Sequence, residues 1–464
     1  MKLLMILMGY NKLALFGGHP IVSDHKNIRI SWPIVRQSDF NQVKRAFFDK
    51  DFSGRGSKRV EELEKKFEER YKGRFATAVN SGTSALHLAL KSLNIGPGDE
   101  VIVPALTFVA SAMSVLHNQS IPIFADIDPC TYNISPDSVL KKITKKTKAI
   151  IVVHLHGLPA DMKRIQSICR KYNLKLIEDV AQAPGAKYFG KEVGLFGDAA
   201  IFSFMSQKNL ATCGEAGLLL SRGIKAKNRA EITRIYGEII KKNNNRVYNS
   251  YTLGWNYTLN PIQATMLMSQ LKNFDIVTRR IQVMGRKLND LLKTIDWVLP
   301  PVEPARVTSV FHFYRFGLQP EILGYKKIGR FRQAIQDALN AEGLNVRHYQ
   351  NTPIPGQSFF QNINYKKDYP WILSDRKIEY KITDYPNTLN VISSTLVLGA
   401  ISSTPGYLLC PGSIEKYFKG FIKINKNIDK ILEYADKIDY HDPWEELSKV
   451  SDSYMSKYGL YEGK

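Results

Sequence analysis

Seven short apolar segments alternate with helical segments between residues 76 and 220, and this alternation constrains the fold more than any other feature. The predicted strands are Ala76–Val79, Val101–Pro104, Ile121–Asp126, Ala149–Val153, Leu174–Glu178, Ala199–Phe204 and Gly217–Leu220. Because these strands are nearly continuous apolar runs, we expect them to be buried on both faces. Helical stretches between them, such as 162–172, supply the covering layers. The sequence therefore predicts an α/β fold with a mostly parallel, seven-stranded-type sheet between helices.

The chain is predicted to form a large domain and a smaller one. Its 464 residues are enough for about three domains of ordinary size. The long helix expected to lead out of the large domain begins at Asn260, a good capping residue, followed by Pro261, which suits the first helical position. The predicted parts are an N-terminal arm at 1–30, a large α/β domain at 31–275, a smaller C-terminal α+β domain at 276–440 and a charged tail at 441–464.

Composition excludes several classes of protein. With 44% hydrophobic and 23% charged residues, the chain is neither disordered nor collagen-like. The formal net charge is +22, but no basic run is interleaved with aromatic residues, so we expect no nucleic-acid partner. The initial apolar run is too short to span a bilayer and lacks a secretory cleavage site, so we expect no membrane partner. Four cysteines without a C-x-x-C pair indicate a reducing compartment and a cytoplasmic protein.

Four segments of the chain carry side chains suited to chemistry. Asn80–Ala85 joins a strand to a helix, and its glycine-containing turn presents N–H groups that can bind an anion. Asp179 lies at the end of an apolar strand, where ligand clefts in α/β sheets form. Lys208 follows another apolar strand, where desolvation and nearby cations would depress its pKa and suit an amine nucleophile. Asn256 lies among aromatic residues and could hydrogen-bond a ligand.

Each of these segments, taken singly, also has a structural explanation as a capped turn, a surface lysine or loop packing. Taken together and in this order, they have the layout of fold-type-I pyridoxal 5'-phosphate (PLP) enzymes. The strings SGTSALHLAL, GPGDEVIVPALTFVAS, IEDVAQAPGA, GDAAIFSFMSQKNL and GWNY make the chain resemble the DegT-type sugar aminotransferases. The resemblance covers residues 12–290 well and the later part weakly.

The resemblance implies roles for individual residues. Lys208 would form a Schiff base with PLP and Asp179 would pair with the pyridinium nitrogen, so these two are the predicted catalytic residues. Phe108 would stack on the ring, and Asn256 would reach the phosphate of the neighbouring subunit, which implies a homodimer with shared active sites. The predicted cofactor-binding residues are Gly82, Thr83, Phe108, Asp179, Gln182, Ser203, Lys208 and Asn256.

The activity implied by the resemblance is a PLP-dependent aminotransferase. It would move an amino group from glutamate or glutamine to the ketone of a sugar, a nucleotide-sugar or a cyclitol. One alternative is a dehydrating or aromatising enzyme of the same family, although the dehydrating members generally carry histidine in place of Lys208. The other is a non-catalytic regulatory protein with this fold, against which the retention of Lys208, Asp179 and Gln182 argues.

The chain departs from the family pattern in two places. Relatives usually read TGEGG after the lysine, where this chain reads CGEAG at 213–217. Many relatives carry a Pro-Leu-His-x-Gln loop near the substrate, whereas this chain reads TPIPGQ, ending at Gln357, and lacks the histidine. Separately, His154 and His156 are expected to share one strand face, but no third ligand is evident and we expect no metal.

Overall fold

A computed structural model describes residues 12–23, 30–239, 248–399 and 405–445. The remainder, which includes most of the predicted tail and part of the predicted arm, lies outside the described residues. None of the helices in these described ranges is long and apolar enough to cross a membrane. In chain order, the first elements are α1 (Gln37–Phe48), α2 (Lys58–Arg70), β1 (Phe75–Val79), α3 (Gly82–Ser92), β2 (Glu100–Pro104), α4 (Ala110–His117), β3 (Ile121–Ala125), α5 (Pro136–Lys142), β4 (Thr147–Val153), α6 (Met162–Tyr172), β5 (Lys175–Asp179), β6 (Lys187–Tyr188), β7 (Lys191–Glu192), β8 (Ala199–Ser203), β9 (Gly217–Ser221) and α7 (Ile224–Arg234).

Seven of these strands form one large sheet, in the spatial order β1-β9-β8-β5-β4-β2-β3. The pairs along β8-β5-β4-β2-β3 are parallel, whereas β9 runs antiparallel to both β1 and β8. Nearly every residue of these strands is buried, as expected for a sheet covered on both faces. The predicted α/β fold with a mostly parallel seven-stranded sheet is therefore confirmed.

A second, smaller sheet lies in the later part of the chain. The elements of this later part are α8 (Pro261–Leu292), β10 (Val298–Leu299), β11 (Val307–Thr308), β12 (Arg315–Leu318), α9 (Ile328–Ala341), β13 (Val346–Arg347), α10 (Ser358–Gln361), α11 (Pro386–Ser394), β14 (Thr395–Leu398), α12 (Ser413–Asn425) and α13 (Ile428–Lys437). Antiparallel pairing gives the strand order β10-β12-β14-β13. The Asn260 side chain accepts a hydrogen bond from the Ile262 N–H and caps α8. The predicted boundary at residue 275 falls within α8 and, like the other boundaries, stays a prediction.

The segment at 354–385, between β13 and α11, packs against the edge of the large sheet. The rings of Phe360 and Tyr380 each lie 5.1 Å from the ring of Phe124 on β3. The Tyr380 hydroxyl donates a hydrogen bond to the Pro122 carbonyl at 2.7 Å. Because β3 is the last strand of the sheet, this segment covers an edge that would otherwise face solvent.

Candidate active site

A cavity of 350 Å³ lies at the carboxyl ends of three neighbouring strands of the large sheet. Val153, Asp179 and Ser203 line it from the ends of β4, β5 and β8. Phe313 and Tyr349, from the later part of the chain, line it as well. The cavity therefore lies where ligand clefts form in α/β sheets, and both parts of the chain contribute to its walls.

The structure brings seven of the eight predicted cofactor-binding residues together around this cavity. These seven are Gly82, Thr83, Phe108, Asp179, Gln182, Ser203 and Lys208. Asn256 lies outside it. Its side chain is exposed and accepts a hydrogen bond from the Thr258 hydroxyl at 3.0 Å, and its backbone pairs with Ile235. Its expected role in a neighbouring subunit stays a prediction.

The N-terminus of α3 forms one wall of the cavity. The Ser81 side chain caps this helix by accepting a hydrogen bond from the Ser84 N–H at 3.1 Å. A Cβ atom at Gly82 would lie only 2.7 Å from the Ser203 Cβ, so glycine is what allows the helix to approach the end of β8 this closely. The first N–H groups of a helix have no intrahelical acceptor. Together with the Ser203 hydroxyl, they make this wall suitable for a phosphate.

Asp179 is buried and held by two hydrogen bonds. Its Oδ1 atom accepts from the Ala181 N–H at 3.0 Å, and its Oδ2 atom accepts from the Ser111 hydroxyl at 3.2 Å. Burial raises the pKa of Asp179 above its ordinary value, although these bonds and the charge of Lys208 oppose the shift. Within the described part of the chain no lysine or arginine forms an ion pair with this carboxylate. A ligand that carries a protonated ring nitrogen would supply the missing cation.

The neighbouring carboxylate, Glu178, lies outside the cavity and has a structural role. It points away from the cavity because successive side chains alternate along a strand. Its oxygens accept hydrogen bonds from the N–H groups of Gly194, Phe196 and Gly197 at 2.7–2.8 Å and contact His154 Nε2 at 3.2 Å. Burial raises its pKa, but these partners outweigh that effect and leave the pKa below its ordinary value.

Lys208 lies in the loop between β8 and β9 and lines the cavity. Its backbone is fixed on both sides, since its N–H donates to the Met205 carbonyl at 2.8 Å and its carbonyl accepts from the Trp32 indole N–H at 2.9 Å. Burial lowers the pKa of the Lys208 amine, while the charges of Asp179 and Glu215 oppose the shift. A lowered pKa increases the unprotonated fraction that a nucleophilic amine requires.

His154 and His156 do not share a strand face, so that expectation is wrong. β4 ends at Val153, and His156 adopts a left-handed backbone with a φ of 58°. His154 contacts Glu178, whereas His156 contacts Arg315. Over the ranges that the structure describes, no group of three His, Cys, Asp or Glu residues could hold a metal ion.

The cavity-lining residues that sequence reasoning missed include Ser111, Glu215, His312, Phe313 and Tyr349. Ser111 lies one helical turn after Phe108, in a string already noted, so spacing could have found it. His312, Phe313 and Tyr349 come from the weakly matching part of the chain, which gave no signal. His312 is buried and hydrogen-bonds Asn209 through Nδ1 at 2.7 Å; burial and the nearby charge of Lys208 hold its pKa well below the usual range.

Comparisons with known proteins identify the family to which this chain belongs. The DegT/DnrJ/EryC1/StrS aminotransferase family model matches residues 34–380. A UDP-N-acetyl-3-dehydro-α-D-glucosamine 3-aminotransferase of Acidithiobacillus ferrooxidans is 37% identical over 276 residues, which cover 60% of this chain and 69% of that protein. The L-glutamine:scyllo-inosose aminotransferase of Streptomyces griseus is 34% identical over 263 residues, covering 55% and 62%. The crystal structure of 3-amino-5-hydroxybenzoic acid (AHBA) synthase matches with a TM-score of 0.72 and 27% identity, covering 84% and 98%.

The matched range contains every cavity-lining residue named above. The family uses PLP, and its aminotransferases act on ketones of sugars and cyclitols. The predicted resemblance, cofactor and class of activity are therefore confirmed. This chain belongs to the DegT/DnrJ/EryC1/StrS aminotransferase family and is a PLP-dependent aminotransferase.

Proposed function

We propose that Lys208 and Asp179 are the catalytic residues of this aminotransferase, and that glutamate or glutamine is its amino donor. The observation that carries the proposal is the convergence of these two side chains on one cavity. The pKa of the Lys208 amine is lowered there, and the Asp179 carboxylate is buried without an ion-pair partner among the described residues. An amine nucleophile and an uncompensated carboxylate are the two groups that PLP chemistry requires of a protein.

The residues around the cavity fit PLP. The α3 N-terminus at Gly82 and Thr83, with the Ser203 hydroxyl, would hold the phosphate. Asp179 would pair with the ring nitrogen, Gln182 would lie beside the ring, and Phe108, whose side chain is exposed, would stack on it. When bound, PLP supplies an electron sink for removal of the donor's Cα proton.

The protein's own groups then have distinct tasks. Lys208 Nζ takes up the proton from the donor carbon and later delivers a proton to the carbon of the former ketone. Asp179 keeps a positive charge on the ring nitrogen, and the Ser111 hydroxyl and Ala181 N–H keep the Asp179 carboxylate in place. Gln182 is itself held, because its Oε1 atom accepts a hydrogen bond from the His156 N–H at 2.7 Å.

We also propose a homodimer in which Asn256 completes the phosphate site of the partner subunit. Two features support this arrangement. The Asn256 side chain is exposed and lies outside the cavity of its own chain. The adjacent loop exposes large apolar side chains, with Tyr251 58% and Leu253 61% exposed. Burying such side chains favours association in water.

A cytoplasmic location is the remaining part of the proposal. Cys130, Cys169 and Cys213 are free thiols, which suits a reducing compartment.

A panel of acceptors tests the proposed function. The PLP-loaded protein is first treated with glutamate or glutamine until its visible absorbance is lost. Keto-sugars, nucleotide-linked keto-sugars and ketocyclitols are then added singly, and return of the visible absorbance identifies an accepted ketone. If neither glutamate nor glutamine changes the spectrum of a protein that demonstrably binds PLP through Lys208, the proposed donors are contradicted.

A further inference from the structure

A cluster of buried hydrogen-bond donors without acceptors lies beside the cavity. Arg315 is only 1% exposed, and its Nη2 atom has no partner among the described residues. All three guanidinium nitrogens of Arg347 are likewise buried and unpartnered there. Nδ1 of His156 and Nε2 of Gln350 are in the same condition. We refer to these four residues as the Arg315–Arg347 cluster.

The cluster surrounds two rings that line the cavity. The ring centroids of Phe313 and Tyr349 are 4.6 Å apart, and both residues line the cavity. The Arg347 guanidinium carbon lies 5.1 Å from the Phe313 centroid and 5.3 Å from the Tyr349 centroid. The His156 ring lies 5.6 Å from Phe313. Arg315 Nη1 reaches His156 Nε2 at 3.2 Å and Gln350 Oε1 at 3.5 Å, which joins the four residues into one group.

Every unpartnered atom of the cluster is a donor. A guanidinium can only donate, so His156 Nε2 must accept from Arg315, and the imidazole proton lies on Nδ1. Burial and the charges of Arg315 and Arg347 hold the pKa of His156 well below its usual range, which agrees with a neutral ring. Gln350 accepts through Oε1, so its free Nε2 atom is a donor as well. The cluster therefore lacks acceptors, and specifically anionic ones.

No carboxylate of the described chain compensates these two arginines. Other partly buried arginines have such partners, since Arg70 pairs with Glu192 and Asp275, and Arg234 pairs with Glu64. Neither Arg315 nor Arg347 forms an ion pair with an Asp or Glu that the structure describes. A buried cation without a counter-charge is costly, so this arrangement indicates that the anion comes from a ligand.

We propose that the Arg315–Arg347 cluster binds a carboxylate of the amino donor, at the cavity wall formed by Phe313 and Tyr349. A planar guanidinium matches a carboxylate with two parallel hydrogen bonds. The cluster also adjoins the cavity that Lys208 lines, because the Arg347 guanidinium lies 5.1 Å from the ring of Phe313, which lines the same cavity. This inference rests on the proposed function and adds the site that recognises the donor.

Binding of glutarate tests the site without any turnover. Glutarate carries two carboxylates and no amine, so it can occupy a donor site without reacting. By calorimetry on the PLP-loaded enzyme, Arg315→Gln and Arg347→Gln are each expected to weaken glutarate binding about tenfold or more, as loss of a charge-assisted hydrogen bond predicts. Arg347→Lys, which keeps the charge but loses the two-pronged geometry, is expected to show an intermediate affinity.

Arg332→Gln is the matched control. Arg332 is as buried as Arg315 and also has an unpartnered nitrogen, but its guanidinium contacts Gln336 and the Tyr440 ring, whereas that of Arg347 contacts Phe313 and Tyr349. The Arg332→Gln substitution should leave glutarate binding unchanged. Thermal unfolding of each variant identifies any that fail to fold, and Arg347→Lys then supplies the comparison in a folded protein.

The two half-reactions separate failure of this inference from failure of the proposed function. In Arg347→Gln, the donor concentration for half-maximal loss of visible absorbance should rise about tenfold, while the reaction of the amine-loaded enzyme with its ketone should be unchanged. Wild-type glutarate affinity in both glutamine variants would overturn the inference while leaving transamination intact. A wild-type enzyme that does not bind glutarate would overturn it too. Loss of affinity for a nucleotide-sugar alone would assign the cluster to phosphate and contradict the proposal.

Discussion

The Ser111 hydroxyl donates a hydrogen bond to Oδ2 of Asp179 at 3.2 Å, from the first turn of α4 to the end of β5. This bond stabilises the charged form of a carboxylate whose pKa burial raises. Ser111→Ala should raise the Asp179 pKa further, so the acidic limb of the kcat/KM profile should move to higher pH. Ser114→Ala, which removes a hydroxyl bonded to the Ser111 carbonyl, is the control and should leave that limb in place.

The charge of Asp179 is expected to matter more than its size. Asp179→Asn should lower turnover by roughly 10³-fold or more, because the ring nitrogen loses the group that keeps it protonated. PLP retention, measured by absorbance after dialysis, should fall only modestly. Turnover close to the wild-type value would show that Asp179 is merely a turn residue.

Glu178→Gln provides the contrast from the adjacent position. Glu178 has a pKa below its ordinary value because its partners stabilise the carboxylate. Its contribution to stability is therefore present above the ordinary glutamate pKa of about 4.3 and is lost as the pH falls through the lower folded-state value. We expect Glu178→Gln to lower the unfolding temperature at neutral pH, and the difference from wild type to shrink in acid. An unchanged unfolding temperature at neutral pH would contradict this assignment.

The close contact between Gly82 and Ser203 predicts a defect in cofactor binding. A Cβ atom at position 82 would lie 2.7 Å from Ser203 Cβ, so Gly82→Ala should push the α3 N-terminus away from β8. We expect the PLP dissociation constant to rise about tenfold, the effect of losing roughly one phosphate hydrogen bond. Gly96→Ala, where an added Cβ meets no atom within 4 Å, is the control and should bind PLP normally.

Mixing Asn256→Ala, which should retain PLP weakly, with the inactive Lys208→Ala variant tests the shared active site. If Asn256 serves the partner subunit, a hybrid dimer of Asn256→Ala and Lys208→Ala contains one site with both changes and one site with neither. Activity should then return as subunits exchange, towards about half of the wild-type value per hybrid dimer. Absence of activity after exchange has been demonstrated by mass spectrometry would refute a site built across the interface.

Local sequence patterns predicted the strands of the large sheet and the start of its long following helix. The apolar runs gave all seven strands of the large sheet, and Asn260 with Pro261 gave the start of α8. The reversed direction of β9 is not encoded in its own apolar run, because a buried strand reads alike in either direction. The prediction that His154 and His156 share a strand face is wrong because β4 ends before them, at Val153.

The predicted site was incomplete for a related reason. The Gly82 turn, Asp179 and Lys208 could be predicted from their own segments, because strand ends gather at one edge of such a sheet. The roles of Thr83, Phe108, Gln182 and Ser203 came from the family resemblance. Phe313, Tyr349 and Arg347 reach the same region through packing between distant parts of the chain. The sequence pattern within each of their own segments does not predict that packing.

The segment at 354–385 has a consequence for solubility. It shields β3, whose outer side would otherwise present free peptide groups beside the Phe124 ring. Shortening this segment would expose the unpaired edge of β3 on an otherwise charged protein. We expect a protein that lacks this segment to aggregate through pairing of exposed strand edges. Such aggregation differs from the specific dimer proposed around Asn256.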